Sequence, residues 1–466
     1  MSRQSPMSGA DRATSDLPAA GAAPVRTAAP EPDRVPARDR VPEPDGTPRR
    51  PGARRGVTEI VLGTVLGQGL LIAAAPVLAR LYNPADFALL QIFTGVVSIG
   101  AVLASLRMDL AVPLARDVTE TRAVLRAGLT GAVVVAVAIG LLGLAGAGLW
   151  TVNPTLAGLW AAWWLVPPTV AVIAVFQLVS AVLVRSERYR DIAGRNALQG
   201  VGTAGAQLGF GFAGLAPLGL LLGMGVGRAA GLASIARGGL FPPPAAGRRE
   251  PVTVAQVRAA VRRFRRFPLF TTWTALLNNT GQYAPYLLFS LTYGQNPTGW
   301  LAFTSRLLAL PATVVGQAVA QVFLGRGASA RRDATGELPR LTWLAVRRLA
   351  LLGAGPAIAL SVAGPWAFGW VFGAQWERAG SYAQLLAVAF LAQFVASPVS
   401  NVLNLMERQG LALGWEAVRL VLVVGVPWLV WLLGGSDLLG VAAYAGVLVL
   451  SYGGVLALVW WVLRHG

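Results

Sequence analysis

The chain has 466 residues, of which 55% are hydrophobic and 13% charged, and its formal net charge is +18. Long uninterrupted apolar runs exclude an ordinary water-soluble domain, and basic residues confined to short loops between those runs exclude nucleic acid as the partner. No cysteine is present and the only histidine, His465, sits beside the C-terminus, so disulfides, thiolate metal sites, cysteine nucleophiles and histidine chemistry are excluded.

Residues 1–56 are rich in Pro, Ala, Arg and Asp and poor in large apolar side chains, which predicts a disordered tail. The tail lacks the charged start, apolar middle and small-residue end of a signal peptide, and its arginines favour the cytoplasmic side. Two apolar runs follow, Val57–Ala79 and Ala88–Ser105, joined by Arg80–Phe87 with an Asn83-Pro84 break. Each is long enough to cross about 30 Å of hydrocarbon at about 1.5 Å per residue, so the pair predicts a transmembrane hairpin.

The same reading continues along the chain. Spans are predicted near 57–79, 87–106, 124–148, 160–184, 194–214, 216–236, 269–292, 299–323, 343–363, 381–404, 411–433 and 439–463. The fold class is therefore an all-α polytopic membrane protein of about 12 transmembrane helices. Arginines crowd the loops at 107–126, 185–195, 237–266 and 326–348, with Arg408 and Arg464, whereas the opposite loops hold Arg80 and Arg378. That asymmetry predicts a plasma-membrane protein with both termini in the cytoplasm. Trp150, Trp160, Trp163, Trp164, Trp300, Trp366, Trp370 and Trp376 fall at the outer ends, where indole rings settle among headgroups.

Residues 237–268 form the longest loop on the cytoplasmic side. Val254, Val257, Val261, Phe264 and Phe267 recur at spacings of three and four among arginines, which predicts an amphipathic helix on the inner leaflet linking two halves. The halves, 57–236 and 269–466, read as weak repeats of six helices each. Pro76 and Pro285 interrupt their first helices, and Tyr82-Asn-Pro and Tyr293-Gly-Gln-Asn-Pro end them. Paired interrupted helices point to a transporter's central site.

Charges inside apolar runs are costly, so those retained there face a cavity or a partner. Arg228 lies midway along its helix beside a four-residue row of Gly219, Gly223, Gly227 and Gly231, a close-packing face. Arg306 lies about two turns into helix eight, Arg80 ends helix one at the rim, and Glu59 is near that helix's other end. Glu416 and Arg419, three apart, can pair with each other. One reading makes Arg228, Arg306, Arg80, Glu416 and Arg419 the wall of a cationic cavity for an anionic head group, since the guanidinium fork binds phosphate oxygens bidentately. The other is snorkelling and structural pairing. Gln68, Gln177, Gln317, Gln321, Gln393, Asn278, Asn279, Asn401 and Asn404 fit either a sugar path or interhelical hydrogen bonds. Gly225-Val-Gly-Arg-Ala-Ala230 lies inside a span with no preceding strand and carries no nucleotide site; no P-loop is present.

Several motifs follow one another along the chain: Pro76–Phe87, Ser105–Pro113, Phe267-Pro-Leu-Phe with Leu276-Leu-Asn278, and Arg306-Leu-Leu-Ala-Leu-Pro311. Gly316–Phe323, Val371–Gly380 and Ala396-Ser-Pro398 continue the series. In this order they resemble the polysaccharide (O-antigen, Wzx-type) flippase family, over roughly 57–465. It implies the multidrug/oligosaccharidyl-lipid/polysaccharide exporter fold, two pseudo-symmetric six-helix bundles around a cavity that opens alternately to each side. It implies export of undecaprenyl-diphosphate-linked oligosaccharide from inner to outer leaflet for cell-surface polysaccharide biosynthesis, without bond-making catalysis or a cofactor. Membrane lipids, a polysaccharide polymerase and glycosyltransferases are the partners it suggests. The lipid II branch of the superfamily typically has fourteen spans, so the count here favours the polysaccharide branch. The family's arginines on helices one and two have no counterpart here beyond Arg80. A cation-coupled multidrug exporter should carry deep acidic residues, and a membrane glycosyltransferase or ligase long outer loops with acidic or His catalytic groups; the deep unpaired charges here are basic and the outer loops are short.

Overall fold

Asn83 decides where the first helix pair turns. In the computed structural model its side chain accepts from Asp86 N at 3.1 Å while Asp86 Oδ2 accepts from Asn83 N at 2.9 Å. This reciprocal cap, with Pro84 as the first helical residue, starts a new helix two residues after the old one stops. The structure describes residues 51–145, 153–236, 239–241, 251–309, 338–400, 402, 406 and 409–465. Residues from Pro51 onward form a single unit.

The first six long helices are α1 (Pro51–Leu81), α2 (Pro84–Ser105), α3 (Val118–Ala145), α4 (Val166–Arg185), α5 (Tyr189–Phe212) and α6 (Leu218–Ala236). A short helix, α7 (Val254–Arg263), separates them from α8 (Thr272–Thr292), α9 (residues 295–309), α10 (Leu338–Phe372), α11 (Glu377–Val399), α12 (Gln409–Leu432) and α13 (Asp437–His465). The chain is thus an all-α, multi-pass membrane protein of two six-helix bundles. Among the described residues nine helices are long and apolar enough to cross a membrane. Two that fall short, α5 and α8, have the length but not the apolarity.

The pairing repeats between the halves. In each, the first helix packs on the fifth, the fifth on the sixth, the third on the fourth and the fourth on the sixth. The terminal tyrosine of each first helix also meets a glycine near the start of the sixth. A Cβ added to Gly219 would lie 2.4 Å from the Tyr82 hydroxyl, and one on Gly440 2.7 Å from that of Tyr293. Backbones approach where side chains vanish: a Cβ on Gly200 of α5 would stand 2.3 Å from Gly67 Cα of α1. The glycine row of α6 packs on α5, with Gly223 against Gln207 and Gly227 against Thr203.

Pro76 and Pro285 do not interrupt their helices. Both α1 and α8 run straight through, and Pro356, Pro365, Pro398 and Pro427 likewise lie inside helices. A proline deletes one donor, and in a packed bundle neighbouring helices absorb that loss. The predicted tail boundary also shifts, because α1 already includes residues 51–56; residues 1–50 lie outside the described residues.

The linker helix is shorter than the predicted stripe and turned from it. Thr253 and Gln256 cap α7 reciprocally, and the helix packs on α3 rather than lying free. Ala260 and Phe264 are buried with Val257 beside them, whereas Val254 and Val261 are exposed. The winning face is the one that meets Val124, Leu178 and Met108. Arg263 pairs with Glu120 of α3 and fastens the contact.

The Ser105–Pro113 stretch forms the elbow between α2 and α3. Leu106 and Arg107 take positive φ angles of 47° and 54° before the one-turn helix Met108–Ala111. Arg185 of α4 donates to the carbonyls of Val112 and Pro113, at 3.4 and 3.0 Å. Burial pushes the Asp109 carboxyl up from the ordinary carboxylate range, and Arg107, 3.9 Å away, opposes that rise.

At the end bearing the α1–α2 turn, the turn end, the halves lock together. Trp376 is fully buried there, and its Nε1 donates to Ala79 O at 2.8 Å; Gln375 Nε2 donates to the same carbonyl at 2.8 Å. Phe87 of the first half meets Phe303 and Trp376 of the second, with ring centroids 5.0 and 5.3 Å apart. Asn153 adds a bridge, donating to Ser290 O at 2.8 Å. Trp376 is therefore an internal bolt and not a headgroup aromatic. Trp164, Trp366 and Trp370 do stand exposed, the last two stacked within 4° of parallel. Trp150 lies outside the described residues.

Candidate functional site: a cavity between the halves

Beneath that lock, between the two halves, lies a cavity of about 620 Å³. Its walls explain why α5 and α8 are too polar to be read as lipid-facing. Gln199, Thr203 and Gln207 enter from α5, and Asn278, Gln282, Tyr283 and Tyr286 from α8. Gln68 of α1, Gln91 and Thr94 of α2, Gln393 and Ser397 of α11, and Tyr444 and Tyr452 of α13 complete a largely polar lining.

The structure brings Arg228, Arg306, Glu416 and Arg419 to this one cavity. Arg228 follows Gly227 by one residue, so when the glycine row packs on α5 the arginine emerges about 100° around the helix, toward the cavity. Among the described residues its Nη1 reaches the carbonyl of Met224 on its own helix, at 3.3 Å. Arg306, from α9 in the other half, makes no hydrogen bond or ion pair with any described residue. Arg419 Nη2 and Glu416 Oε2 are 2.5 Å apart, so this pair is self-neutralising. Three arginines and one glutamate leave the lining with a formal net charge of +2.

A guanidinium facing hydrocarbon costs roughly 2.5–3.5 kcal/mol even on the mildest scale, so two arginines with no carboxylate partner among the described residues call for water or an anion beside them. The arrangement is suited to phosphate or carboxylate oxygens, which a guanidinium holds through paired donors. Polar amides and tyrosines around the arginines offer neutral hydrogen bonds of both senses. Among the described residues no group of His, Cys, Asp and Glu is placed to hold a metal ion.

Arg80 is not part of the cavity: it stands exposed at the turn end. Glu59 lies far down α1 and accepts from Arg190 of α5 at 3.3 Å. Of the amides singled out in the sequence, Gln68, Gln393 and Asn278 line the cavity. Asn279 instead donates to Ala275 O of its own helix at 2.8 Å, and Gln177 of α4 is half-buried, its Oε1 out of solvent. Gln317, Gln321, Asn401 and Asn404 lie outside the described residues. Sequence reading missed Gln91, Gln199, Gln207, Gln282 and the four tyrosines of the wall. The usable signal was regional: 189–212 and 272–292 have the length of a membrane span but fall short of its apolarity.

No protein-family model and no curated protein sequence matches the chain. Solved structures do. The lipid II flippase MurJ, in an inward closed conformation, superposes with a TM-score of 0.65 at 11% identity, over 88% of this chain and 87% of that one. A multidrug resistance MATE family transporter of the MOP superfamily, in an inward-facing conformation, gives 0.62 at 14% identity over 88% and 98%. A MOP superfamily transporter from Pyrococcus furiosus, described as having a binding pocket of reverse polarity, gives 0.57 at 13% over 88% and 96%. At such identities the likeness is one of architecture, and it shows that this chain has the fold of the MOP-superfamily flippases and multidrug transporters.

Proposed function

We propose that the protein is a flippase that moves a polyprenyl-diphosphate-linked oligosaccharide from the inner to the outer leaflet of a bacterial plasma membrane. The observation that carries this reading is the pair Arg228 and Arg306, one from each half, facing one cavity without a carboxylate partner among the described residues. The diphosphate binds the two arginines, the sugars occupy the amide- and tyrosine-lined space, and the prenyl tail stays in lipid. A volume of about 620 Å³ falls within the ~300–1,000 Å³ common for ligand pockets. The flippase likeness supports a lipid-linked substrate, and the motif series of the polysaccharide branch supports a glycan destined for surface polysaccharide. A polymerase and glycosyltransferases are then the neighbouring activities, and both termini face the cytoplasm.

Because the arginines sit on opposite halves, a diphosphate bridging them favours the state in which the halves are close around it. Release then requires the turn-end lock to part, which is the alternating-access step of this reading. The net charge of the wall disfavours a cationic drug, since the one lining carboxylate among the described residues, Glu416, is already engaged by Arg419.

Reconstitution into liposomes with a labelled polyprenyl-diphosphate oligosaccharide tests the proposal. Leaflet exchange is expected for the native chain and its loss for Arg228→Gln and Arg306→Gln in protein that still inserts. Drug efflux without exchange of any glycan would overturn the reading in favour of a multidrug exporter. Native exchange in both variants would remove the arginines from the mechanism.

A further inference from the structure

A second, smaller cavity of about 280 Å³ lies away from the first, at the end opposite the turn end, between α3 and the chain leading into α7. Arg122 and Arg126 of α3 form one wall. Leu125 and Leu129 of the same helix, with Phe241, Pro251 and Val252 from the linker, form the rest. We propose that this cavity binds the phosphate headgroup of an anionic glycerophospholipid of the surrounding leaflet, with its acyl chains lying along α3.

Charge is the first argument. Arg122 and Arg126 are four residues apart and therefore project from the same face of α3. Neither has an ion pair among the described residues. Arg122 stands over the Phe241 ring, 5.3 Å from its centroid, and Arg126 donates one bond to Val252 O. The carboxylate nearest in sequence, Glu120, is occupied by Arg263 and by the amide of Arg116. Two guanidinium groups thus share one pocket with donors to spare, and a phosphate oxygen is the acceptor that matches them.

Depth is the second. At about 1.5 Å per residue the 28 residues of α3 span about 42 Å, the thickness of a bilayer with its headgroups. Arg122 and Arg126 lie about 6 and 12 Å from the start at Val118, which places them in the headgroup layer and just beneath it. Continuity is the third. Counting on from Arg126, Val133, Val137, Leu141 and Leu144 fall near the same helix face, and each is more than half exposed. An apolar track therefore leads from the charged pocket into the bilayer, as a bound lipid requires. Basic pockets at this depth on the arginine-rich side are where anionic headgroups accumulate. The lipid would also brace the α7–α3 contact, since Val252 bounds both the pocket and the buried patch under α7.

The inference does not depend on what the central cavity carries, and its test does not read transport. Full-length protein, stripped of lipid in a neutral detergent, is titrated with phosphatidylglycerol, phosphatidylcholine and inorganic phosphate, following thermal unfolding and retained lipid by native mass spectrometry. Saturable stabilisation by phosphatidylglycerol is expected, at least tenfold weaker for phosphatidylcholine. Arg122→Gln with Arg126→Gln should weaken it at least tenfold. Arg347→Gln with Arg348→Gln, which removes the same charge from α10, should leave it within twofold. Equal losses in the two double variants, or none in the first, would overturn the site. Stabilisation by inorganic phosphate as strong as by the lipid would replace the lipid with a free anion and equally refute the proposal. Should the arginine variant fail to fold, Leu129→Trp fills the pocket with both charges in place; undiminished binding in that variant overturns the proposal too.

Discussion

Replacing Trp376 with Ala should unlatch the turn end. The side chain belongs to the second half but spends part of its contact on the first: a 2.8 Å hydrogen bond to Ala79 O and an edge-on contact with Phe87 at 5.3 Å. The hydrogen bond contributes about 1 kcal/mol net. The aromatic pair contributes about 1 kcal/mol more. Ala79 O keeps its bond from Gln375, so no unpaired acceptor is added to the loss. If these contacts exist only when the turn end is closed, about 2 kcal/mol shifts the closed-to-open ratio about 30-fold. The native chain has no cysteine, so a single Leu90→Cys, a position that lines the cavity just beneath the lock, reports without background. Its labelling by a membrane-impermeant maleimide from the turn side should accelerate by that factor in Trp376→Ala. Trp376→Phe, which keeps most of the ring, should accelerate it only a few-fold. An unchanged rate in a folded Trp376→Ala protein would refute the latch and leave Phe87–Phe303 and Asn153 to hold the halves.

Other expectations concern stability. Gly200→Val forces α1 and α5 apart, because even a Cβ would lie 2.3 Å from Gly67 Cα; a loss of about 1–3 kcal/mol should appear in thermal unfolding. Gly205→Ala on the same helix, with open space around its Cβ, should be neutral or slightly stabilising by the same measurement. Asp437→Asn removes the carboxylate held by Arg378 and by the Tyr382 hydroxyl, both at 2.7 Å, and because Arg378 is partly solvated the expected cost is about 1–2 kcal/mol. Tyr82→Phe deletes a buried 2.8 Å bond to Gln207 O and should cost about 1 kcal/mol in the same assay.

The long elements were legible because apolar runs of membrane length have few alternative fates, and the Asn-Pro turn named the first hairpin outright. Arg228 was legible for a local reason: a glycine row fixes which face of α6 packs, and so which face is left over. Arg306 and the Glu416–Arg419 pair followed from the cost of charge in hydrocarbon. Arg80 had no such constraint, since an arginine at the rim can stand exposed at no cost, and it does. Trp376 was misjudged because an indole at a helix end is equally satisfied by a headgroup or by a carbonyl, and only the approach of α1 decides between them. On α7 two overlapping apolar stripes were available, and the packing surface of α3 chose the one containing Ala260.

The polarity of α5 and α8 bears on how the chain enters its membrane. A segment carrying Arg195, Asn196, Gln199 and Gln207 gains little by leaving an insertion channel alone for lipid. The short turn to the apolar α6, and the glycine contacts that let α6 seat closely on α5, allow the two to leave as a hairpin with the polar face toward α1. On this account α1 waits in the membrane as a receiving surface, its Gly63 and Gly67 uncovered until α5 arrives. Helix α8 packs instead on α2 and α12, both distant from it in the chain, and its assembly depends on them. The groups that give the finished protein its wet interior thus make two of its helices dependent on their neighbours during synthesis. A lesion in the glycine contacts would therefore lower the amount of inserted protein as well as its stability.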